Sequence, residues 1–213
     1  HFVGPDQLHG FEDRLTTEIY PADFDWTPRV SYDEGADDTA KDQPDPGVSG
    51  VETVADARAV ARSMQLDYDE DVAHRAIGQI YELRRHDNGQ PFFLTVSFTQ
   101  PHDPYVVTRR YWDRYAGSDI NAPRVEPLAL DALDPHSLGL HFHYGLDRFS
   151  VDPATARRAR HGYYAMMSYI DDRVGDILGA LSEAGYADDT LVIFTSDHGD
   201  MMGDHGLFLK GFM

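Results

Sequence analysis

Cysteine is absent from all 213 residues. Disulfides, thiolate metal sites and a cysteine nucleophile are thereby excluded within this stretch, while compartment stays open because a cysteine-free chain suits reducing and oxidising surroundings alike. No apolar run approaches the roughly eighteen residues that a membrane-spanning helix needs. Basic residues are scarce: 18 Lys and Arg stand against 37 Asp and Glu, a formal net charge of −19. Such a surface repels phosphate backbones and anionic lipid, so neither nucleic acid nor membrane is an expected partner. It suits a salt-rich source as well as an ordinary acidic soluble protein. Internal repeats and low-complexity tracts are missing too. The opening His1-Phe2-Val3-Gly4-Pro5 has neither an initiator Met nor a signal-peptide pattern, and the chain stops abruptly at Lys210-Gly211-Phe212-Met213. An internal piece of a longer protein is the expectation.

What is present is a 41% hydrophobic fraction, enough for one ordinary domain with a core. Residues 33–50, with Asp37-Asp38 and Pro44-Asp45-Pro46-Gly47, read as an acidic surface loop. Val72, Ala76, Ile77, Ile80, Tyr81 and Leu83 predict a helix over 69–86, with Arg84, Arg85 and His86 suited to its C-terminal end and Asn88-Gly89 after it. The apolar run from Pro91 to Thr99 predicts a strand buried on both faces, as inside a parallel sheet. Asp152-Pro153 opens a long helix to about Ala184, stopped by Gly185, with Tyr163, Met167, Ile170, Val174, Ile177, Leu178 and Leu181 as its apolar stripe. Leu191–Thr195 predicts a second buried strand. This order belongs to the α/β class, with a mainly parallel sheet flanked by helices. In such sheets the functional crevice lies at the carboxyl ends of strands, and both predicted strands run into polar clusters.

After the second strand comes Ser196-Asp197-His198-Gly199-Asp200, then Gly203-Asp204-His205-Gly206 and Lys210. Asp197 offers a hard oxygen and neutral His198 a nitrogen, so the pair can bind one divalent cation. Lys210 offers a point charge to an anionic oxygen. A bare Asp-His pair is more often a hydrogen-bonded loop; the long string after an apolar strand favours the site. After the first strand comes Gln100-Pro101-His102-Asp103-Pro104-Tyr105. Two prolines are expected to hold this segment extended and fix where His102 points. An imidazole so placed can donate to a sulfuryl or phosphoryl oxygen, or protonate a leaving group. His141-Phe142-His143 alternates in the manner of a metal site but reads better as a solvated loop.

The string Thr195-Ser196-Asp197-His198-Gly199-Asp200-Met201, with Gly203-Asp204-His205-Gly206 and Lys210, resembles the second metal-binding signature of type I sulfatases, members of the alkaline phosphatase superfamily. Phe98, Gln100, His102, Pro104 and Tyr105 resemble that family's substrate-histidine motif. The stretch from His1 to Phe11, running on through Arg14-Leu15-Thr16-Thr17 to Tyr20-Pro21-Ala22-Asp23 and Trp26, is similar to choline sulfatases in particular. The resemblance implies that residues 1–213 form part of a single sulfatase catalytic domain. It implies Asp197 and His198 as metal ligands, and His102 and Lys210 as sulfate contacts, with Lys210 near the leaving oxygen. His1 matches the histidine of the family's Lys-x-His element, a further catalytic and substrate contact. Trp26 matches an aromatic residue facing the quaternary ammonium group, a cation–π contact of about 0.5–2 kcal/mol.

The family's nucleophile is a hydrated formylglycine, made from the Cys or Ser of a C-x-P-S-R motif, which attacks sulfur. That motif and the family's paired aspartates do not occur in this sequence, so the chain alone is expected to be inactive. The acidic loop at 33–50 also lacks the aromatic and histidine residues of a choline pocket wall. The implied cofactor is one divalent ion: calcium is the commonest in the family, and a His ligand also admits manganese, with magnesium open. The implied partner is a small-molecule sulfate ester, such as choline sulfate. The resemblance further implies a cytoplasmic protein, with a periplasmic one and a homo-oligomer left open. A phosphonate monoesterase or phosphodiesterase of the same superfamily is the competing activity, and a non-catalytic incomplete domain the competing role.

Overall fold

The structure is a computed structural model, and it describes residues 7–17 and 50–211. His1, Trp26 and all of the acidic loop except Gly50 lie outside the described residues. In chain order the elements are α1 (Glu52–Ala55), β1 (Arg58–Val60), α2 (Met64–Arg85), β2 (Val106–Thr108), α3 (Arg109–Trp112), α4 (Pro135–His143) and α5 (Pro153–Glu183). Strands β1 and β2 pair in parallel, Arg58 opposite Val106 and Val60 opposite Thr108. Helix α5 packs along α2, α3 and both strands, giving the helix-flanked parallel arrangement of the α/β class.

The two long helices form where expected, for the expected local reasons. Asp152 caps α5, its carboxylate accepting from Thr155 N at 2.7 Å, with Pro153 in the first turn. Past the C-cap, Gly185 takes φ +78°, a turn that a Cβ would strain. Helix α2 begins five residues ahead of the prediction because Ser63 caps it, accepting from Leu66 N at 3.2 Å.

The buried stripe of α5 differs from the expected one. Leu181 is buried and Tyr163, Ile170 and Ile177 pack against the core as expected, but the fully buried line along the first half is Ala156, Ala159, Gly162, Ala165, Met166 and Tyr169, while Met167 and Leu178 are exposed. Small residues define this face because the helix approaches the backbone so closely that a Cβ on Gly162 would lie 2.6 Å from Tyr105 O. A count of large apolar residues does not register such a face.

Both predicted strands depart from expectation. Residues 91–99 are extended, but no strand of the described residues hydrogen-bonds to them. Their burial is one-sided: Phe92, Leu94, Val96 and Phe98 turn inward, and Phe93 is 80% exposed. Phe92 and Leu94 pack on Ile80, Ala180 and Leu181, between α2 and α5. Leu191–Thr195 is exposed throughout, Leu191 to 85%. A uniformly apolar run carries the demand for neighbours on both faces, and the described residues supply one face for the first segment and none for the second. The pairing strands are instead the short β1 and β2, whose three residues each are too few for a periodic signal.

The end of the first extended segment is fastened by one buried carboxylate. Asp69 of α2 is fully buried and accepts from Thr99 N at 2.8 Å, Thr99 Oγ1 at 3.0 Å and Gln100 N at 3.1 Å. Burial pushes its carboxyl above the usual range, and the three donors oppose that shift. Asp69→Ala is therefore expected to lower stability by roughly 2–5 kcal/mol, at about 1–3 kcal/mol for each buried donor left unpaired. Urea unfolding reads this loss directly, and an unchanged midpoint would show that the donors find other partners.

Candidate active site

Directly beyond this fastening the chain reverses. His102 N donates to Thr99 O at 3.1 Å, so the segment is a turn and not the extended stretch that its two prolines predict; both X-Pro bonds, at Pro101 and Pro104, are cis. Fixing φ at the prolines leaves the rest of the backbone path open, and the hydrogen bond to Thr99 closes it. Tyr105 then enters the core, fully buried, in edge contact with Tyr163 of α5.

The second cluster folds as a closed hairpin. Met201 N donates to Leu209 O, Met202 N to Phe208 O at 3.0 Å and Gly203 N to Leu207 O at 2.7 Å. Its apolar side chains, Met202, Leu207, Phe208 and Leu209, are buried in the main core. Its tip is tied to residues 123–127: Asp204 Oδ1 accepts from Arg124 N at 2.6 Å and from Val125 N, and His205 N donates to Val125 O. Those donors hold the Asp204 carboxyl below the usual range. Arg160 of α5 donates to Met202 O at 2.9 Å.

Because the hairpin closes, Asp200 leads into one arm and Lys210 leaves the other, and both meet the turn at 100–105. Tyr105 OH donates to Asp200 Oδ2 at 2.9 Å. Lys210 Nζ lies 2.5 Å from His102 Nε2. Two of the predicted site residues, 108 positions apart, are thus in direct contact. On the other side of the imidazole, His102 Nδ1 lies 2.9 Å from Asp103 O and 3.1 Å from Asp103 Oδ1. The proton affinity of His102 is raised, first by its hydrogen bond to Asp103, while burial and Lys210 act against this. Burial likewise pushes the Asp200 carboxyl up, opposed by the Tyr105 hydroxyl and by the charges of His102 and His198.

Asp197 and His198 lie in the exposed segment leading to the hairpin. His198 Nε2 is 3.6 Å from Asp197 Oδ2, and His198 N donates to Asp197 Oδ1 at 2.9 Å. An oxygen and a nitrogen suit a divalent cation, but no group of three His, Asp or Glu donors capable of holding an ion occurs among the described residues. The pair therefore supplies part of an ion's shell and does not fit a complete site by itself. His141 and His143 end helix α4 and do not lie in a loop as expected. An open cavity of about 460 Å³ between α3 and the start of α5, lined by Trp112, Tyr115, Arg157, Arg158 and His161 among others, includes none of the predicted site residues.

The sulfatase family model matches residues 9–212. The chain belongs to the sulfatase family. It is 43% identical over 213 residues to the choline-sulfatase of Rhizobium meliloti (strain 1021), covering 99% of this chain and 40% of that protein. Over 129 residues it is 38% identical to an arylsulfatase of Clostridium perfringens, covering 61% of this chain and 26% of that one. A multifunctional alkaline phosphatase superfamily protein of Trinickia caryophylli is 37% identical over 135 residues, or 58% of this chain and 26% of that protein. The chain thus spans about two fifths of the length of the choline-sulfatase it matches. Among the described residues no helix is long and apolar enough to cross a membrane.

For a sulfatase of this length, the residues that reading by motif passes over are Asp103, Tyr105 and Asp200, which tie the two clusters together. Each sits inside a motif already singled out, so the residue types were visible and their partners were not. Gly203 shows how tightly the hairpin is seated: its φ is +98°, and a Cβ there would lie 2.6 Å from Pro123 Cγ. Gly203→Ala is expected to destabilise by about 1–3 kcal/mol and, if Lys210 is the sulfate contact that the family resemblance implies, to weaken sulfate binding at the same time. Gly175→Ala, on a helical glycine with nothing within 4 Å of the added Cβ, should hold or slightly raise stability and leave binding alone. Thermal melting alongside calorimetric sulfate titration separates the two; equal behaviour would detach the hairpin from anion binding.

Proposed function

We propose that the protein to which this chain belongs hydrolyses the sulfate ester of a small alcohol, with choline sulfate the leading substrate. The observation that carries the reading is the His102–Lys210 contact, in a chain 43% identical to a choline-sulfatase across nearly its whole length. Under this reading His102 and Lys210 bind the sulfuryl oxygens, and Lys210 faces the bridging oxygen as it leaves. An ammonium and an imidazole aimed at one anion stabilise the charge that develops on those oxygens as the ester bond breaks. His1 and Trp26 enter only through their positions in the sequence, as a further sulfate contact and as the face for the quaternary ammonium group.

A divalent metal, calcium before manganese or magnesium, would polarise the sulfate oxygens when bound. Asp197 and His198 would contribute to its shell, and further donors would have to join them. The formylglycine has no source in this sequence, which contains no cysteine and no C-x-P-S-R motif. What this chain's own residues do is bind, orient and neutralise the anion, and the chain by itself is expected to be inactive.

The likeness to a multifunctional superfamily member supports a second reading, hydrolysis of a phosphonate monoester or phosphodiester, for which the same cationic pair would serve. Parallel turnover of sulfate and phosphate esters by the full-length protein distinguishes the two. His102→Ala and Lys210→Ala are each expected to reduce sulfate ester turnover by orders of magnitude while the folded fraction stays near wild type. Rates equal to wild type in both variants would sink the assignment.

A further inference from the structure

We propose that Asp103 is the positioning residue of the His102–Lys210 pair, holding the imidazole with its proton on Nδ1 so that Nε2 is presented to Lys210 and to the anion. The proposal rests on reading that pair as the anion contact. Asp103 is 5% exposed and is held from two sides. Its Oδ2 accepts from Thr53 Oγ1 at 2.7 Å, and its backbone carbonyl accepts from Gln65 Nε2, on a side chain itself buried, at 2.9 Å.

His102 Nδ1 faces that same carbonyl at 2.9 Å as well as Asp103 Oδ1 at 3.1 Å. A carbonyl oxygen can only accept, so Nδ1 carries a proton. In the neutral imidazole Nε2 then has a lone pair and accepts from the Lys210 ammonium. When an anion enters between them, its oxygens accept from Lys210, and Nε2 can take up a proton and donate as well.

The charged groups facing the imidazole are Asp103, Lys210 and, from the start of the hairpin, Asp200. Asp103 contributes most to the raised proton affinity of His102. The sign follows: a raised imidazole keeps its proton to higher pH, and the anion-donating form is lost as pH climbs through that raised value. Asp103→Asn removes the negative charge and must move this limit to lower pH.

The test uses the full-length protein with its histidines isotopically labelled. Nitrogen chemical shifts of His102 should show the Nδ1–H tautomer in the wild type. In Asp103→Asn the His102 titration should move down, and the alkaline limb of kcat/KM for a sulfate ester should move with it. The value of kcat/KM should fall about ten- to a hundredfold, the range for groups that orient a working histidine in metal sites, and Asp103→Glu should recover part of it. An Nε2–H tautomer in the wild type, or an unmoved titration and pH limb in Asp103→Asn, overturns the proposal. Should Asp103→Asn not fold, the wild-type tautomer decides alone. Should the wild type turn over no sulfate ester, the functional reading fails, and the His102 titration in Asp103→Asn still decides the role of Asp103.

Discussion

The side chains of Lys210 and His102 meet nitrogen to nitrogen at 2.5 Å. Were both the ammonium and the imidazole charged, they would repel by roughly 7 kcal/mol at an effective dielectric near 20. A doubly charged pair becomes favourable when an oxyanion enters and accepts from both. Under the proposed function this contact is where an anion would be received, and the residues around it hold the two long side chains in that proximity. On one side is the turn fastened through Asp69, Thr99 and Gln100; on the other is the hairpin whose tip is seated on Pro123 and Pro127. Neither anchor includes His102 or Lys210, yet each helps to set the distance at which the two side chains meet.

The sequence carried the meeting of His102 and Lys210 further than it carried the architecture. His102 and Lys210 were legible as a pair because the residues around them match a family motif. The long helices were legible because Asp152-Pro153 and Gly185 punctuate α5. The strands were not. Apolar runs at 91–99 and 191–195 state a need for burial, but where that need is met depends on partners that no local pattern encodes. The short strands β1 and β2, which do pair, lie in segments with no periodic signal. The buried face of α5 was misplaced by a residue because its packing is set by glycine and alanine against a backbone carbonyl. The roles of Asp103, Asp200 and Tyr105 are tertiary: each matters through a partner at the other side of a turn or hairpin.

A chain with net charge −19 is an unpromising place to bind an anion, so the proposed function depends on how the carboxylates near the His102–Lys210 pair are engaged. Surface carboxylates more than about 10 Å away are largely screened at ordinary ionic strength. Among the described residues, the carboxylates of Asp103 and Asp200 interact with His102, and both are turned to other partners. Asp103 accepts from Thr53 and faces the protonated side of His102. Asp200 accepts from Tyr105, and its burial favours the neutral acid. Both carboxylates are thereby engaged in holding a neighbour in place, which under the proposed function leaves Nε2 and Nζ to meet an incoming oxygen.

The same engagement explains why the two clusters act as one site although they come from distant parts of the chain. Tyr105 is fixed by the core, packed on Tyr163 and against the gap left by Gly162. Its hydroxyl reaches the residue that opens the hairpin, while the residue that closes the hairpin reaches back to the turn three positions before Tyr105. A hairpin held at both arms by one turn has little freedom to slide. A slide of the whole hairpin against the turn would strain the Lys210–His102 contact together with the part-buried Tyr105–Asp200 bond, where an unpaired hydroxyl is costly. The placement of the Lys210–His102 pair is therefore tied through Tyr105 to the packing of the core.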